Sequence, residues 1–382
     1  YKEVTFSDTY YNFIDKYVKI SNGETIVNLS RAFLDSAGDT KTITVDVASF
    51  PAYEEDAYIE EFDSAAALKE LVGDLNICSR RGMVEYFDST IGAGSVLIPF
   101  GGKTQLTPTQ AMAAKIPVLE GQSYTASLFA YGFDPYLSSE NQHVGAMCAV
   151  TESLARIVAA GGKTEDCYLT FQEYFPRPNK DAKRWGQPLS ALLGAYKAQL
   201  ELGIGSIGGK DSMSGSFEKI DVPPTLVSFA VTTDKTENVV SPEFKKANSK
   251  VVLLTPDYDE NGLPVTASLV ATYNKVAELV RAKKVLSAYT PTLGGIAEAV
   301  LKMCLGNKLG FAFDSEITLN DVFKYNYGSF ILEVTDDVTD GKVLGTTTDK
   351  CGISLGSESV CLCELEKAYE EKFAEISIFF PP

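Results

Sequence analysis

Gly203-Ile204-Gly205-Ser206-Ile207-Gly208-Gly209-Lys210-Asp211-Ser212-Met213-Ser214-Gly215 decides between nucleotide-binding folds. Glycines at 203, 205 and 208 satisfy G-x-G-x-x-G formally. That fingerprint works only with a strand before it and a helix after it, so that phosphate meets a helix N-terminus. Here Leu189, Leu192, Leu193, Tyr196 and Leu200 predict a helix before the stretch, ending at Gly203, and polar residues follow it. The doubly wound dinucleotide fold is excluded on that context. A P-loop is excluded too, because Ile204 and Asp211 stand where Gly and Ser or Thr are required. What remains is a glycine-relaxed turn bearing Lys210, Asp211, Ser212 and Ser214. Glycines let backbone N–H groups approach a phosphate, Lys supplies point charge, and Asp can hold a divalent cation. A ligand-binding loop and an ordinary tight turn both fit.

On either side the apolar pattern alternates between two periods. Ser95 to Phe100, Tyr124 to Tyr131, Cys167 to Phe171 and Thr225 to Thr233 read as strands. Met147, Val150, Leu154, Ile157 and Val158 repeat at helical spacing, with Gly161-Gly162 as a stop. Strand pairs interleaved with helices predict an α+β layer, a mixed sheet with helices on one face. A polar stretch, Asn238 to Asn248, reads as an interdomain linker. The pattern then restarts with strand Val251 to Leu254, helices Leu269 to Lys283 and Ile296 to Cys304, and strands near Phe311, Phe330 and Val360. Helix Glu364 to Phe373 closes the chain. The expected division is a lead-in segment over 1–75, an N-terminal-like domain over 76–238 and a C-terminal-like domain over 239–382. The lead-in holds an amphipathic stretch, Val27 to Leu34, a β-like run, Thr42 to Val47, and the acidic patch Glu54, Glu55, Asp56, Glu60 and Glu61.

The chain has 382 residues, enough for two cores, with 45% apolar and 22% charged residues, an ordinary globular composition. A formal charge of −17 argues against a nucleic-acid backbone binder. No apolar run approaches the roughly 20 residues needed to span a bilayer. The opening residues lack a secretory layout, and a chain beginning on Tyr reads as a fragment or processed form. Seven scattered cysteines argue against a disulfide framework and for a reducing, cytoplasmic setting. Cys361 and Cys363 read as packing residues on one strand face. Glu152 and Arg156 fit a helical i,i+4 ion pair. His143, the single histidine, reads as a satisfied polar residue, and Trp185 as a surface or interface anchor.

Three ordered motifs carry a resemblance. Met83-Val84-Glu85-Tyr86-Phe87-Asp88-Ser89-Thr90-Ile91-Gly92, Ala149-Val150-Thr151-Glu152-Ser153-Leu154 and Gly209-Lys210-Asp211-Ser212-Met213, followed by Pro223-Pro224-Thr225-Leu226 and Gly294-Gly295, resemble the second synthetase half of phosphoribosylformylglycinamidine synthase of the large type. The resemblance covers roughly residues 76 to 360. It implies an α+β, aminoimidazole ribonucleotide synthetase-like fold, an N-terminal domain of mixed sheet packed with helices followed by a C-terminal α/β sandwich domain, and an ATP- and magnesium-dependent ligase of purine biosynthesis. Formylglycinamide ribonucleotide, ATP and glutamine-derived ammonia would give the amidine, ADP and phosphate. ATP would activate the amide oxygen, which calls for neutralised phosphate charge.

Position by position, the resemblance gives Gly209 and Ser212 backbone or hydroxyl contacts to nucleotide and substrate, and Lys210 a phosphate contact, with Asp211 in the same loop. Some relatives have a metal-ligating Asn where Lys210 stands, a role an ammonium cannot fill. Gln172 and Glu173 are the polar members of a substrate-side loop. An auxiliary magnesium–nucleotide site is implied at Glu152, but Arg156 replaces an expected Asn, and Gly102 and Leu293 replace expected Asp residues. No catalytic residue is assigned. The missing first synthetase half and glutaminase domain are the expected partners, the isolated chain is expected to be inactive, and a homodimer would cover the face they leave. The rival expectation is a non-catalytic scaffold half that docks the glutaminase. A free-standing kinase-like relative lacks its aspartate-rich magnesium motif here.

Overall fold

The computed structural model describes residues 17–35, 42–48, 64–85 and 93–376. The acidic patch Glu54 to Glu61 and the Tyr86 to Gly92 part of the first motif lie outside the described residues. Two units are distinguished, Tyr1–Val45 and Asp46–Pro382. In the first, strands Tyr17–Asn22 and Glu24–Ser30 pair antiparallel about Gly23, whose φ of 75° suits a tight turn. A single-turn helix, Arg31–Asp35, follows. The expected amphipathic stretch from Val27 is therefore strand to Ser30 and helix only beyond it. Thr42 to Val47 carries no strand.

Among the described residues the second unit holds two large sheets and two small two-stranded ones, Phe100–Gly101 with Thr107–Pro108 and Ser216–Phe217 with Ile220–Asp221. The first has six strands in the order Ser95–Leu97, Ala111–Lys115, Thr125–Gly132, Thr225–Lys235, Tyr168–Tyr174 and Ser206–Lys210. All neighbours are antiparallel except the last pair, which is parallel. Period-two alternation turns Ala126, Leu128, Ala130 and Gly132 inward, with Leu226, Ser228 and Ala230 beside them. Helix Gln142–Ala159 lies on that face. Asn141 caps it by accepting from the Val144 N–H at 3.0 Å. A Cβ at Gly132 would stand 2.2 Å from the Ala149 carbonyl oxygen, so glycine allows this close approach. Only His143, Val144 and Arg156 of this helix fall short of full burial, as expected for an element covered on both sides.

Helix Ala182–Leu202 packs on the outer side of that helix and ends at Gly203 in the left-handed conformation, φ 68°. Its spacing predicts the helix correctly but points to the wrong face. Leu192, Leu193, Tyr196 and Leu200 are exposed, while Gly186, Ser190, Ala191, Gly194, Ala195 and Ala198 are buried. The reason is steric: a Cβ at Gly194 would lie 2.1 Å from the His143 carbonyl oxygen, so the helices meet through small residues.

The second sheet has seven strands in the order Val285–Tyr289, Phe330–Val334, Lys250–Leu254, Lys342–Thr348, Gly310–Phe313, Gly352–Leu355 and Glu358–Cys361. Helices Thr266–Arg281, Gly295–Leu305 and Leu362–Ile376 accompany it. Helix Ser64–Val72, inside the expected lead-in, buries Leu68 and Val72 in the same core as Leu301, Leu365 and Tyr369. The expected linker is no loose tether. Phe244 is fully buried and its N–H donates to the Met303 carbonyl at 2.9 Å.

The two sheets are sewn together by side chains. Tyr273 donates to the Thr151 carbonyl at 2.9 Å, and Tyr327 donates to Asp134 at 2.7 Å. Gln110 pairs with both backbone groups of Thr290 at 2.8 Å. The Gly101 to Thr107 loop folds over the C-terminus of helix Gly295–Leu305, where the Thr104 hydroxyl donates to the Leu305 carbonyl at 2.8 Å.

Candidate functional site

Two places bring together the residues singled out above. The first is the free edge of the six-stranded sheet. Ser206–Lys210 is not a turn but an edge strand, parallel to Tyr168–Tyr174, with Thr170, Phe171 and Gln172 in register with Gly208, Gly209 and Lys210. Gly209 is required sterically, since a Cβ there would lie 2.5 Å from the Phe171 carbonyl oxygen. Beyond Lys210 the chain curls back, with the Phe175 N–H donating to the Ser212 carbonyl at 2.9 Å and the Ser212 and Ser214 hydroxyls 3.1 Å apart. Gln172, Lys210 and Asp211 are exposed, and Glu173 and Ser212 are half-buried. Burial, with Asp211 nearby, raises the Glu173 carboxyl above its usual value. The structure thus brings two segments distant in sequence, Gln172-Glu173 and Gly209 to Ser212, side by side as a ledge at one sheet edge, with Gln172 and Glu173 on opposite faces of their strand.

The second place is a cavity of about 1000 Å³ bordered by the same sheet, by the buried helix and by elements of the second sheet. Apolar side chains such as Leu97, Met112, Phe129 and Phe133 line it. Glu152 and Arg156 reach it from the buried helix, and Glu298 and Lys302 from helix Gly295–Leu305. Each carboxylate pairs with the cation one turn on, and side-chain exposure is 2% and 12% in the first pair, 6% and 10% in the second. Glu152 also accepts the Phe133 N–H at 3.0 Å, and Glu298 the Gly294 N–H at 2.7 Å. The Arg156 guanidinium lies 4.5 Å from the Tyr131 ring centroid and pulls that phenol's pKa down. Glu298, Lys302 and Tyr131 escaped the sequence reading. The i,i+4 spacing of Glu298 and Lys302 is visible, but it is the spacing of any solvated helical pair.

Magnesium does not fit at Glu152. One carboxylate oxygen meets Arg156 and the other a backbone N–H, Leu293 offers no donor, and Gly102 faces the Gly306 backbone instead of this cavity. No cluster of three metal-ligating side chains occurs among the described residues. Burial lifts the Glu152 carboxyl from 4.5 to about 7, although Arg156 pulls the other way. Between those values the unfolded chain ionises this group before the folded chain does. Raising pH through that window therefore removes stability, which is fully present below 4.5. Glu152→Gln should flatten this slope in urea denaturation measured from pH 4.5 to 7.

His143 is half-buried near Ser190, its pKa lowered mainly by burial, and it lines neither place. Trp185 donates to the Asn179 carbonyl at 3.2 Å. Cys361 and Cys363 do not share a strand face. The strand ends at Cys361, a helix begins at Leu362, and that corner lets the two sulfurs bond to each other. No helix among the described residues is long and apolar enough to cross a membrane.

No protein-family model matches the chain. Curated relatives do. The phosphoribosylformylglycinamidine synthase subunit PurL of Thermoplasma acidophilum is 22% identical over 270 residues, covering 67% of this chain and 35% of its own length. That of Thermococcus sibiricus is 22% identical over 343 residues, covering 83% and 45%. Thermotoga maritima PurL complexed with ATP superposes with a TM-score of 0.59 at 15% identity, covering 87% of this chain and 49% of that one. The PurLQS structure from the same organism gives 0.60 at 15%, with the same coverage. The chain therefore has the aminoimidazole ribonucleotide synthetase-like fold, as the resemblance implied. It spans less than half the length of these relatives.

Proposed function

We propose that this chain, similar in sequence to PurL-type synthetase subunits, is the second synthetase half of a phosphoribosylformylglycinamidine synthase and is inactive without its counterpart. The reaction is ATP-dependent conversion of formylglycinamide ribonucleotide to its amidine, with nitrogen from glutamine. The first synthetase half and a glutaminase are the partners, and a homodimer is the form the isolated chain would take. The observation that carries this reading is the edge ledge of exposed Gln172, Gly209, Lys210 and Asp211 with half-buried Glu173 and Ser212. A ledge offers one wall of a site and needs a second.

The donor set suits a magnesium-bound nucleotide. Lys210 supplies charge to a phosphate, and Gly209 and Ser212 supply a close backbone and a hydroxyl. Burial, and then the neighbouring Asp211, make Glu173 costly to ionise, which a divalent cation would relieve. Two carboxylates leave most of magnesium's coordination to phosphate and water, which is its usual preference. Bound magnesium would neutralise phosphate charge as the amide oxygen is activated.

Calorimetric titration with magnesium-ATP tests this, first on the chain alone and then with the complementary half added. Binding in the combined sample should weaken at least tenfold, order of magnitude, in Lys210→Ala, a lost charge-assisted phosphate contact. Unchanged affinity there would sink the reading. The rival reading, a scaffold half, is favoured by the Glu152–Arg156 pair, which stands where a metal site was implied. It predicts that Lys210→Ala leaves turnover of the full assembly untouched.

A further inference from the structure

We infer that the cavity bordered by the first sheet and helix Gly295–Leu305 is a metal-free binding site for an amphipathic organic monoanion, with its charge at Arg80 and its apolar body against Leu97, Met112, Phe129 and Phe133. This does not rest on the synthetase reading.

Charge bookkeeping inside the cavity leads there. Arg80, Arg156 and Lys302 line it against the two carboxylates Glu152 and Glu298. Arg156 and Lys302 are each neutralised by the carboxylate one turn earlier on their own helix. Arg80 is different. Among the described residues its guanidinium meets no carboxylate and donates only to the backbone carbonyls of Leu75 and Asn76, at 3.3 and 3.2 Å. A guanidinium has five N–H donors, so the backbone leaves most of the fork available. With Glu152 ionised, above the value of about 7 to which burial lifts it, the described residues leave the cavity one positive charge without a carboxylate partner, that of the exposed Arg80, in a chain whose formal charge is −17.

One excess charge sets the ligand's charge. A nucleoside di- or triphosphate carries two or three charges more than Arg80 can balance, and such ligands import a divalent cation. Among the described residues no carboxylate cluster is there to hold it. Glu152 is already engaged by Arg156 and a backbone N–H. A single carboxylate, sulfonate or phosphodiester on an apolar or aromatic body matches both the charge and the lining. The volume of about 1000 Å³ admits a body of two or three fused rings with room for water.

Calorimetry with 2-naphthoate in the presence of EDTA tests the proposal, with 2-naphthalenemethanol as the uncharged analogue. The naphthoate should bind one-to-one without metal, and more tightly than the alcohol. Arg80→Gln, at a position whose side chain reaches only backbone, should weaken naphthoate about tenfold and leave the alcohol unchanged. A melting curve on the same sample establishes that the variant is folded. Equal naphthoate affinity in Arg80→Gln would place the ligand on another apolar surface and overturn the proposal. So would no saturable binding, or displacement of naphthoate by ADP only when magnesium is supplied.

Discussion

Lys302→Met should destabilise the protein by about 3–5 kcal/mol, the usual cost of removing one partner of a buried ion pair. The Glu298→Gln, Lys302→Met double variant should recover most of that loss. Lys302 and Glu298 are 10% and 6% exposed, and Lys302 also lies 5.7 Å from the Tyr369 ring centroid. With the ammonium gone, Glu298 keeps only the Gly294 N–H and a long contact from the Thr292 hydroxyl at 3.5 Å. Two hydrogen bonds do not solvate a carboxylate away from water. Glutamine at 298 still accepts from the Gly294 N–H without a charge to bury, and Met fills the lysine stem's volume. Urea denaturation of the wild type and both variants at neutral pH checks this. A single variant as stable as the double would mean that water reaches Glu298 through the cavity.

Gly102→Asp should also destabilise, rather than restore magnesium affinity at the place where the resemblance implied an aspartate. Gly102 has φ of 86°, a left-handed conformation. Aspartate tolerates that region better than most residues, so the backbone term alone is small. Space is the larger obstacle. A Cβ would lie 2.2 Å from the Gly306 carbonyl oxygen and 2.4 Å from its Cα, where only backbone could give way. The same loop caps helix Gly295–Leu305, with the Thr104 N–H donating to the Gly306 carbonyl at 2.9 Å. Forcing the two turns of this contact apart breaks the cap as well. Overpacking on this scale costs about 1–3 kcal/mol and lost caps about 1 kcal/mol each, so a loss of roughly 2–5 kcal/mol is expected. Thermal melting with and without magnesium reads both results together. A variant that melts like wild type, or that magnesium stabilises, would return the metal site.

Much of the architecture is legible in the residues because burial imposes period. The strand Thr125–Gly132 and the helix around Val150 and Leu154 follow directly from alternation and from helical spacing. The ledge was legible only in part: Gly209, Lys210, Asp211 and Ser212 stand together in sequence, but they read as a turn, and the pairing of Ser206–Lys210 with Tyr168–Tyr174 was not foreseen. Three things were not. The buried face of helix Ala182–Leu202 is made of Gly, Ala and Ser, and a hydrophobicity pattern weighs these less than the exposed leucines. Strand Lys342–Thr348, with four exposed or half-buried positions and a run of threonines, has no apolar stripe to announce it. The cavity joins Arg80, Glu152 and Lys302 from distant segments, and long-range packing is what no local pattern encodes.

Helix Gln142–Ala159 has one more consequence. It belongs to the core beneath the first sheet, yet Tyr273, Phe330 and Leu332 of the second are part of the same continuous apolar cluster. The second sheet keeps a core of its own around Leu301, Phe311 and Leu365, but the first sheet's interior is shared with it. Opening the second sheet therefore exposes the shared helix and strips the first, so the first sheet cannot outlast the second on melting.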